Sequence, residues 1–275
     1  MTAAGDPPSG GVHLGWRVMP PPPGRAGRLI ARNARAAAHY WWVPLSGLAE
    51  PVFYLLSIGI GLGKLVGTVA GPDHHLYPYA VYVAPALLAA SAMNGAIYEC
   101  TFNVYFKLKY ARIYDAVLAT PLGAGDVARG EIATALLRGG AYSAVFVAMM
   151  AGLGDIVSGW AALALPVALL IGFAFAAAAM AATTYMRGWT DFDLVNLALL
   201  PMFLFSTTFY PLATYPRWLQ IVVECTPLYH GVVLERAATL GLMGPALLGH
   251  VAYLLAMGTL GVAVTARRMR RLLLS

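Results

Sequence analysis

Apolar residues in this chain come in long runs that short polar segments separate. Six runs are long enough for a helix of about 20 residues, the length that crosses a hydrocarbon core about 30 Å thick. The pattern therefore predicts an all-α membrane protein with six transmembrane helices. Their approximate limits are 44–66, 79–105, 127–152, 160–185, 191–211 and 245–266.

The composition agrees with a membrane protein and excludes a soluble domain. Hydrophobic residues make up 60% of the 275 residues and charged residues only 11%, whereas soluble domains carry about 25% charged residues. The net charge of +6 comes from basic residues beside the apolar runs, where lipid headgroups and topology explain them. We therefore expect membrane lipids as partners, and no nucleic acid.

The basic residues also predict the orientation. Six alternating spans place most connecting lysines and arginines on one side, among them Lys107, Arg187 and Arg270, and leave only Arg217 and Arg236 opposite. The positive-inside rule makes the richer side cytosolic. We expect a multi-pass protein of the bacterial inner membrane with both termini in the cytosol.

The first 42 residues divide into two parts. Residues 1–24 are rich in Gly and Pro, lack the apolar core of a cleavable signal peptide, and predict a flexible cytosolic tail. Residues 25–275 then form one transmembrane domain, which begins with an amphipathic helix at 25–42. Four arginines share one face of that helix: Arg25, Arg28, Arg32 and Arg35. The helix lies on the membrane surface, or it is the solvated first turn of span one.

Two short apolar stretches lie between spans five and six. They cover 216–225 and 228–240, are separated by Thr226 and Pro227, and are each too short to cross a membrane. They predict an extracellular re-entrant helical hairpin at 216–240, since such a backbone is tolerated where protein covers it. The alternative is an ordinary amphipathic extracellular loop.

The longest internal cytosolic connection predicts a short helix at 110–120, which Pro121 ends. Its apolar residues recur with the spacing of one helical face. They are Tyr110, Ile113, Tyr114, Val117 and Leu118. Such a helix docks into a groove on a soluble partner or lies on the lipid surface, and the spacing alone fits both.

Few residues inside the spans are ionisable, and such residues are expensive in a bilayer. They are Glu50, Glu99, Glu131 and Arg138. We expect Arg138 to pair with an acid on a neighbouring span, first of all with Glu99. The pair then lines or gates a translocation path, or it only fixes the packing of the helices. Candidate apolar residues of the path are Phe53, Tyr54, Phe102, Tyr105, Met202, Phe203 and Phe205.

We find no pattern typical of an enzyme. The run from Gly59 to Lys64 superficially resembles a phosphate-binding loop, but Leu65 stands where Ser or Thr is required and Ile58 where the first glycine is required. The two cysteines are far apart and the carboxylates are scattered. We therefore predict no catalytic residue, no metal site and no cofactor on this chain.

Three segments resemble the type-2 ABC exporter permeases. They run from Glu50 to Gly63, from Met93 to Asn103, and from Phe192 through Tyr210 and Pro211 to His230. The branch they resemble includes nodulation lipo-chitooligosaccharide exporters and daunorubicin-type drug exporters. The resemblance covers roughly residues 25 to 272.

This resemblance implies a permease that exports an amphiphilic or hydrophobic substrate, such as a lipid-linked glycan, a glycolipid or a drug. It implies two permeases, identical or homologous, on two soluble ATPase subunits that hold ATP and Mg²⁺. By position, 110–120 would be the coupling helix, 25–42 the connecting helix and 216–240 the re-entrant hairpin. The alternatives are an ion-coupled secondary transporter, although no internal repeat is visible, and an integral membrane lipid-modifying enzyme, although no cluster of acids or histidines is visible.

Overall fold

The computed structural model describes residues 52–110 and 124–273, which are mostly helical. The helices, numbered within these residues, are α1 (52–66), α2 (Tyr79–Lys109), α3 (Ala124–Leu153), α4 (Gly159–Thr183), α5 (Asp191–Phe205), α6 (Arg217–Glu224), α7 (Pro227–Leu240) and α8 (Leu247–Leu273). The predicted helices at 25–42 and 110–120 lie outside the described residues, apart from Tyr110.

Four helices of the described residues are long and apolar enough to cross a membrane. They are α2, α3, α4 and α8, and they correspond to the predicted spans at 79–105, 127–152, 160–185 and 245–266. The predicted first span, 44–66, begins outside the described residues, which contain its second half as α1. These helices define an all-α membrane bundle.

The predicted fifth span, 191–211, is longer than the helix found there. Helix α5 ends at Phe205 after 15 residues, fewer than the roughly 20 that cross a bilayer. Pro201 lies inside the helix and lacks a backbone N–H for the helical ladder. Thr207 then adopts a left-handed φ of 58°, which stops helix propagation.

A small antiparallel hairpin follows α1, in the connection between the first two predicted spans. Strand β1 (Thr68–Ala70) pairs with β2 (Leu76–Pro78). Gly67 begins the hairpin with a φ of 74°, a conformation that glycine adopts without steric cost. The hairpin connects α1 to α2 with only three residues in each strand.

Helix α4 lies at the centre of the bundle and contacts α2, α3, α7 and α8. Small residues allow the close approach: a Cβ atom on Gly261 of α8 would lie 2.6 Å from the backbone carbon of Ala177 in α4. Close backbone contact between small residues is a common way to pack transmembrane helices. The core therefore depends on α4, and α5 lies at the edge of the bundle.

Two helices, α6 and α7, occupy the predicted hairpin at 216–240 and are separated at Thr226, as the sequence predicts. Buried Arg236 attaches α7 to the bundle, since its Nη2 donates to the carbonyl of Thr207 at 2.9 Å. The guanidinium carbon also lies 3.9 Å from the ring centroid of Tyr82 in α2. The two helices exist as predicted, while their depth in a membrane stays a prediction.

Candidate functional site

Helix α2 changes its winding in its second half. Residues Glu99–Asn103 form a π-helical segment between two α-helical parts. Such wider turns occur frequently at functional sites. In this segment the Asn103 amide donates to Glu99 Oε1 at 2.5 Å, so the two polar side chains lie on one side of the helix.

An ion pair joins this segment to α3. Arg138 Nη1 lies 2.6 Å from Glu99 Oε2, which is the contact that the sequence predicts for these two residues. Arg138 Nη2 also donates to the hydroxyl of Tyr142, one turn further along α3, at 3.3 Å. The guanidinium is thus held by a carboxylate and a phenol within a largely apolar bundle.

The ion pair faces a cavity of 620 Å³ between α1, α2, α3 and α5. This volume falls in the range of ligand pockets, about 300–1,000 Å³. Besides the ion pair, its polar lining comes from side chains on four helices. They are Tyr54 of α1, Ser91, Asn94, Tyr98 and Asn103 of α2, Tyr142 of α3 and Asn196 of α5. Hydrogen-bonding groups and an ion pair can therefore meet one bound molecule here.

Aromatic residues form another part of the lining. Of the predicted path residues, Tyr54, Phe102 and Phe203 line the cavity. Tyr54 and Phe203 have their ring centroids 6.2 Å apart, which is within contact range for aromatic pairs. These rings lie on α1, α2 and α5, so three helices bring aromatic surface to the same space as the ion pair.

The other four predicted path residues lie outside this cavity. Phe53 is 68% exposed on the outer surface of α1, and Phe205 lies beside Tyr215, with 6.2 Å between ring centroids. Met202 packs against the main core. Tyr105 is buried against Phe192 at the end of α2. Neighbouring positions such as Phe53 and Tyr54 diverge because successive residues of a helix point about 100° apart.

A second ion pair links α2 to α3. Lys107 Nζ lies 2.7 Å from Glu131 Oε2, and the Glu131 side chain is only 2% exposed. An ionised carboxylate inside a span is expensive, and Lys107 supplies a counter-charge for Glu131. Lys107 is not among the residues predicted to pair, because it stands beside a span, where a headgroup contact is the ordinary expectation. The available signal was its place at the end of one span, with Glu131 near the start of the next, 24 residues later.

Aromatic residues surround Tyr110 at the same end of the bundle. The Trp189 indole N–H donates to the Tyr110 hydroxyl at 2.7 Å, and the Trp189 ring lies 5.4 Å from that of Phe192, the second residue of α5. Tyr110 is therefore connected to α5, which lines the cavity. The remaining predicted contact residues, Ile113, Tyr114, Val117 and Leu118, lie outside the described part of the chain, as does Glu50.

Apolar helices surround a partly polar cavity in this membrane protein. Residues 26–240 match the ABC-2 type transporter family. The chain belongs to this family and is the membrane subunit of an ABC exporter.

Curated relatives agree with this family. Nodulation protein J of Sinorhizobium fredii (strain NBRC 101917 / NGR234) is 32% identical over 234 residues, which cover 84% of this chain and 87% of that protein. Nodulation protein J of Rhizobium leguminosarum bv. trifolii is 32% identical over 200 residues, 72% of this chain and 74% of that one. The same protein of Rhizobium meliloti (strain 1021) is 31% identical over the same shares.

Proposed function

We propose that this chain is a six-span permease that moves an amphiphilic or hydrophobic substrate outward across the bacterial inner membrane. The observation that carries the proposal is the cavity between α1, α2, α3 and α5, where the Glu99 and Arg138 pair lies beside aromatic rings. Rings offer apolar surface, and the charges and amides offer hydrogen bonds, to one molecule. A lipid-linked glycan, a glycolipid or a drug has this combination of groups.

The energy comes, in this proposal, from two soluble ATPase subunits that hold ATP and Mg²⁺ and carry two permeases, identical or homologous. The segment 110–120 is the coupling helix that docks on them. The hydrogen bond from Trp189 to Tyr110 supports this role, because it ties the start of that segment to the loop before α5. Movement of the coupling helix then reaches a helix that lines the cavity.

The remaining topology follows from the same proposal. Span one is 44–66, and span five is α5 extended by the residues that follow it, up to 211. Helices α6 and α7 form the re-entrant hairpin on the outer side, and the connecting helix 25–42 lies on the cytosolic surface. ATP binding closes the ATPases, the cytosolic helices move with them, and the spans open the cavity outward.

Docking is tested first by co-purification. The double variant Tyr110→Asp plus Val117→Asp places two charges on the apolar face of the predicted coupling helix. We expect an ATPase subunit that co-purifies with the wild-type chain to be lost from this variant, because an apolar face no longer meets its groove. The amount of ATPase bound per permease is measured by quantitative mass spectrometry.

A matched control introduces the same two charges at the opposite end of the bundle. Leu76 and Val157 are exposed there and lie outside the proposed spans, so Leu76→Asp plus Val157→Asp should leave ATPase binding unchanged. Equal loss from both double variants would point to general misfolding. Substrate transport driven by an ion gradient alone, without a nucleotide-hydrolysing subunit, would contradict the proposed energy source.

The substrate class is tested on the complex reconstituted in lipid. Lipids, glycolipids and drugs are screened for stimulation of ATP hydrolysis, first with the wild-type permease and then with Phe203→Ala. We expect an amphiphile to stimulate the wild type, and the concentration needed for half-maximal stimulation to rise about tenfold in the variant, since aromatic residues are enriched among the contacts whose truncation costs more than about 1 kcal/mol of binding free energy. Stimulation that Phe203→Ala leaves unchanged would exclude this cavity as the substrate site.

A further inference from the structure

A second cavity, of 660 Å³, lies between α2, α4 and α5. It is on a different side of α5 from the first cavity, and Leu199 is the one residue that both share. Its walls are mainly apolar, with Phe175, Ala178 and Ala182 on α4 and Leu194 on α5. Because Ala182 and Leu194 are exposed, this is an open groove on the side of the bundle.

The groove has apolar walls for a reason visible in the sequence. Ala178 and Ala182 are four residues apart and so lie on one face of α4, where their methyl groups leave room that larger side chains would fill. Ala198 of α5 lines the opposite wall. An extended hydrocarbon chain fits such a slot and buries apolar surface from both helices.

Positive charge collects at one end of this groove. Arg187 lines it, and the guanidinium carbon of Arg268 lies 4.1 Å from the ring centroid of Tyr185, another lining residue. Among the described residues, the ion pairs within 4.0 Å involve neither arginine, and Arg268 Nε is buried without a hydrogen-bond partner from them. Two guanidinium groups are thus available to an anion.

One acid, Asp191, also lines the groove, and its carboxylate already has partners. Asp191 Oδ2 accepts the backbone N–H of Arg187 at 2.6 Å and that of Gly188 at 3.3 Å. The carboxylate therefore closes the turn that precedes α5. The charge of Arg187 attracts this carboxylate, but among the described residues no contact within 4.0 Å joins Asp191 to either guanidinium.

We propose that this groove binds an anionic phospholipid from one leaflet of the membrane. This leaflet is the one at the end of the bundle that holds Lys107, Arg187 and Arg268, here called the basic end. One acyl chain lies between α4 and α5, and the phosphate meets Arg187 and Arg268. Guanidinium groups match phosphate geometry with paired hydrogen bonds, and basic pockets between transmembrane helices suit anionic headgroups. The site is separate from the substrate cavity and does not depend on the identity of the substrate.

The test uses the full-length chain in phosphatidylcholine nanodiscs, titrated with phosphatidylglycerol of the same acyl chains. Native mass spectrometry counts the bound lipids. We expect Arg187→Gln plus Arg268→Gln to bind phosphatidylglycerol at least about tenfold more weakly, since one charge-assisted hydrogen bond alone is worth about that factor. The control, Arg267→Gln plus Arg270→Gln, removes the same charge from two exposed arginines of α8 and should change binding less than twofold.

A second variant tests the acyl-chain slot without changing charge. Ala182→Leu adds bulk at an exposed helical position and should also displace phosphatidylglycerol, while the helix keeps a good helix former. Equal losses in the Arg267 and Arg270 control would overturn the proposal, because only general surface charge would then matter. Loss of permease dimers with unchanged lipid binding in Ala182→Leu would overturn it as well, since the groove would then be a contact between subunits.

Discussion

Two ion pairs connect the same two helices, α2 and α3, in different surroundings. Glu99 and Arg138 are 2.6 Å apart and face the cavity, with side chains 14% and 33% exposed. Lys107 and Glu131 are 2.7 Å apart near the basic end, with side chains 13% and 2% exposed. The contact distances are nearly equal. The two pairs differ in the exposure of their side chains, chiefly that of Arg138 compared with Glu131.

Burial changes what each pair contributes. An exposed pair contributes about 0–1 kcal/mol, because solvent screens it and ordering the side chains costs entropy. Removing one partner of a buried pair costs about 3–5 kcal/mol, because a desolvated charge loses its counter-charge. The Lys107 pair should therefore hold α2 and α3 together, and the Arg138 pair should remain open to exchange with a ligand.

The largest effect on stability is expected from breaking the more deeply buried pair, Lys107 and Glu131. Lys107→Met removes the ammonium group beside a carboxylate that is 2% exposed, and should lower the free energy of unfolding by about 3 kcal/mol. Thermal and denaturant unfolding of the full-length chain in detergent measure the change.

The neighbouring Lys109 supplies a control for this prediction. It lies on the same helix and is exposed, so Lys109→Met removes the same charge and should change stability by less than about 0.5 kcal/mol. Equal destabilisation by the two variants would mean that positive charge at this end matters, and the specific contact with Glu131 does not.

The two pairs also differ in how far the sequence predicts them. Hydropathy places Glu99 and Arg138 inside consecutive spans, which favours their pairing. Lys107 stands beside a span, where a headgroup contact is the ordinary expectation. Which side chains meet also depends on helix phase, and the π-helical segment Glu99–Asn103 shifts that phase in a way that a regular 3.6-residue period does not predict.

The same physical limits apply to the rest of the fold and the cavity. Long apolar runs predict α2, α3, α4 and α8 well, since hydropathy averaged over a span is a strong signal. Averaging also hides single amides such as Asn94 and Asn196, which line the cavity. The early end of α5 depends on the local backbone at Thr207, which composition does not report.

A smaller effect on stability is expected from breaking the pair that faces the cavity, Glu99 and Arg138. Arg138→Gln should lower the free energy of unfolding by about 2 kcal/mol, less than Lys107→Met, because Arg138 is 33% exposed and the Asn103 amide still donates to Glu99. Substrate-stimulated ATP hydrolysis by the reconstituted complex should fall further than this stability loss explains. Together the two measurements separate a cavity role from a packing role.

Exchanging the two charges tests whether Glu99 and Arg138 act through their contact with each other. Glu99→Arg and Arg138→Glu should each impair assembly, and the double exchange should restore it, because opposite charges again face each other. The coupling energy from this double-mutant cycle reports the pair itself. Absence of any rescue would remove the pairing as the reason why these residues matter.

The smallest effect on stability is expected from breaking the contact between Tyr110 and Trp189. This contact shows whether burial of a contact, or its position at the basic end, determines how much it contributes to stability. This contact lies at the same end as the Lys107 pair, but both side chains are exposed. Tyr110→Phe removes the 2.7 Å hydrogen bond, keeps the ring, and should cost about 0.5 kcal/mol.

The effect should vanish when Tyr110→Phe is made in a Trp189→Phe background, where the indole donor is absent. Tyr185→Phe, at another exposed tyrosine of the same end, is the control and should leave stability unchanged. If Tyr110→Phe instead destabilises the chain as much as Lys107→Met, position at the basic end governs the contribution of a contact there. If the effect of Tyr110→Phe is small, burial determines the contribution of a contact to stability. The exposed Tyr110–Trp189 contact would then be weaker than the buried Lys107–Glu131 pair, although both lie at the same end of the bundle.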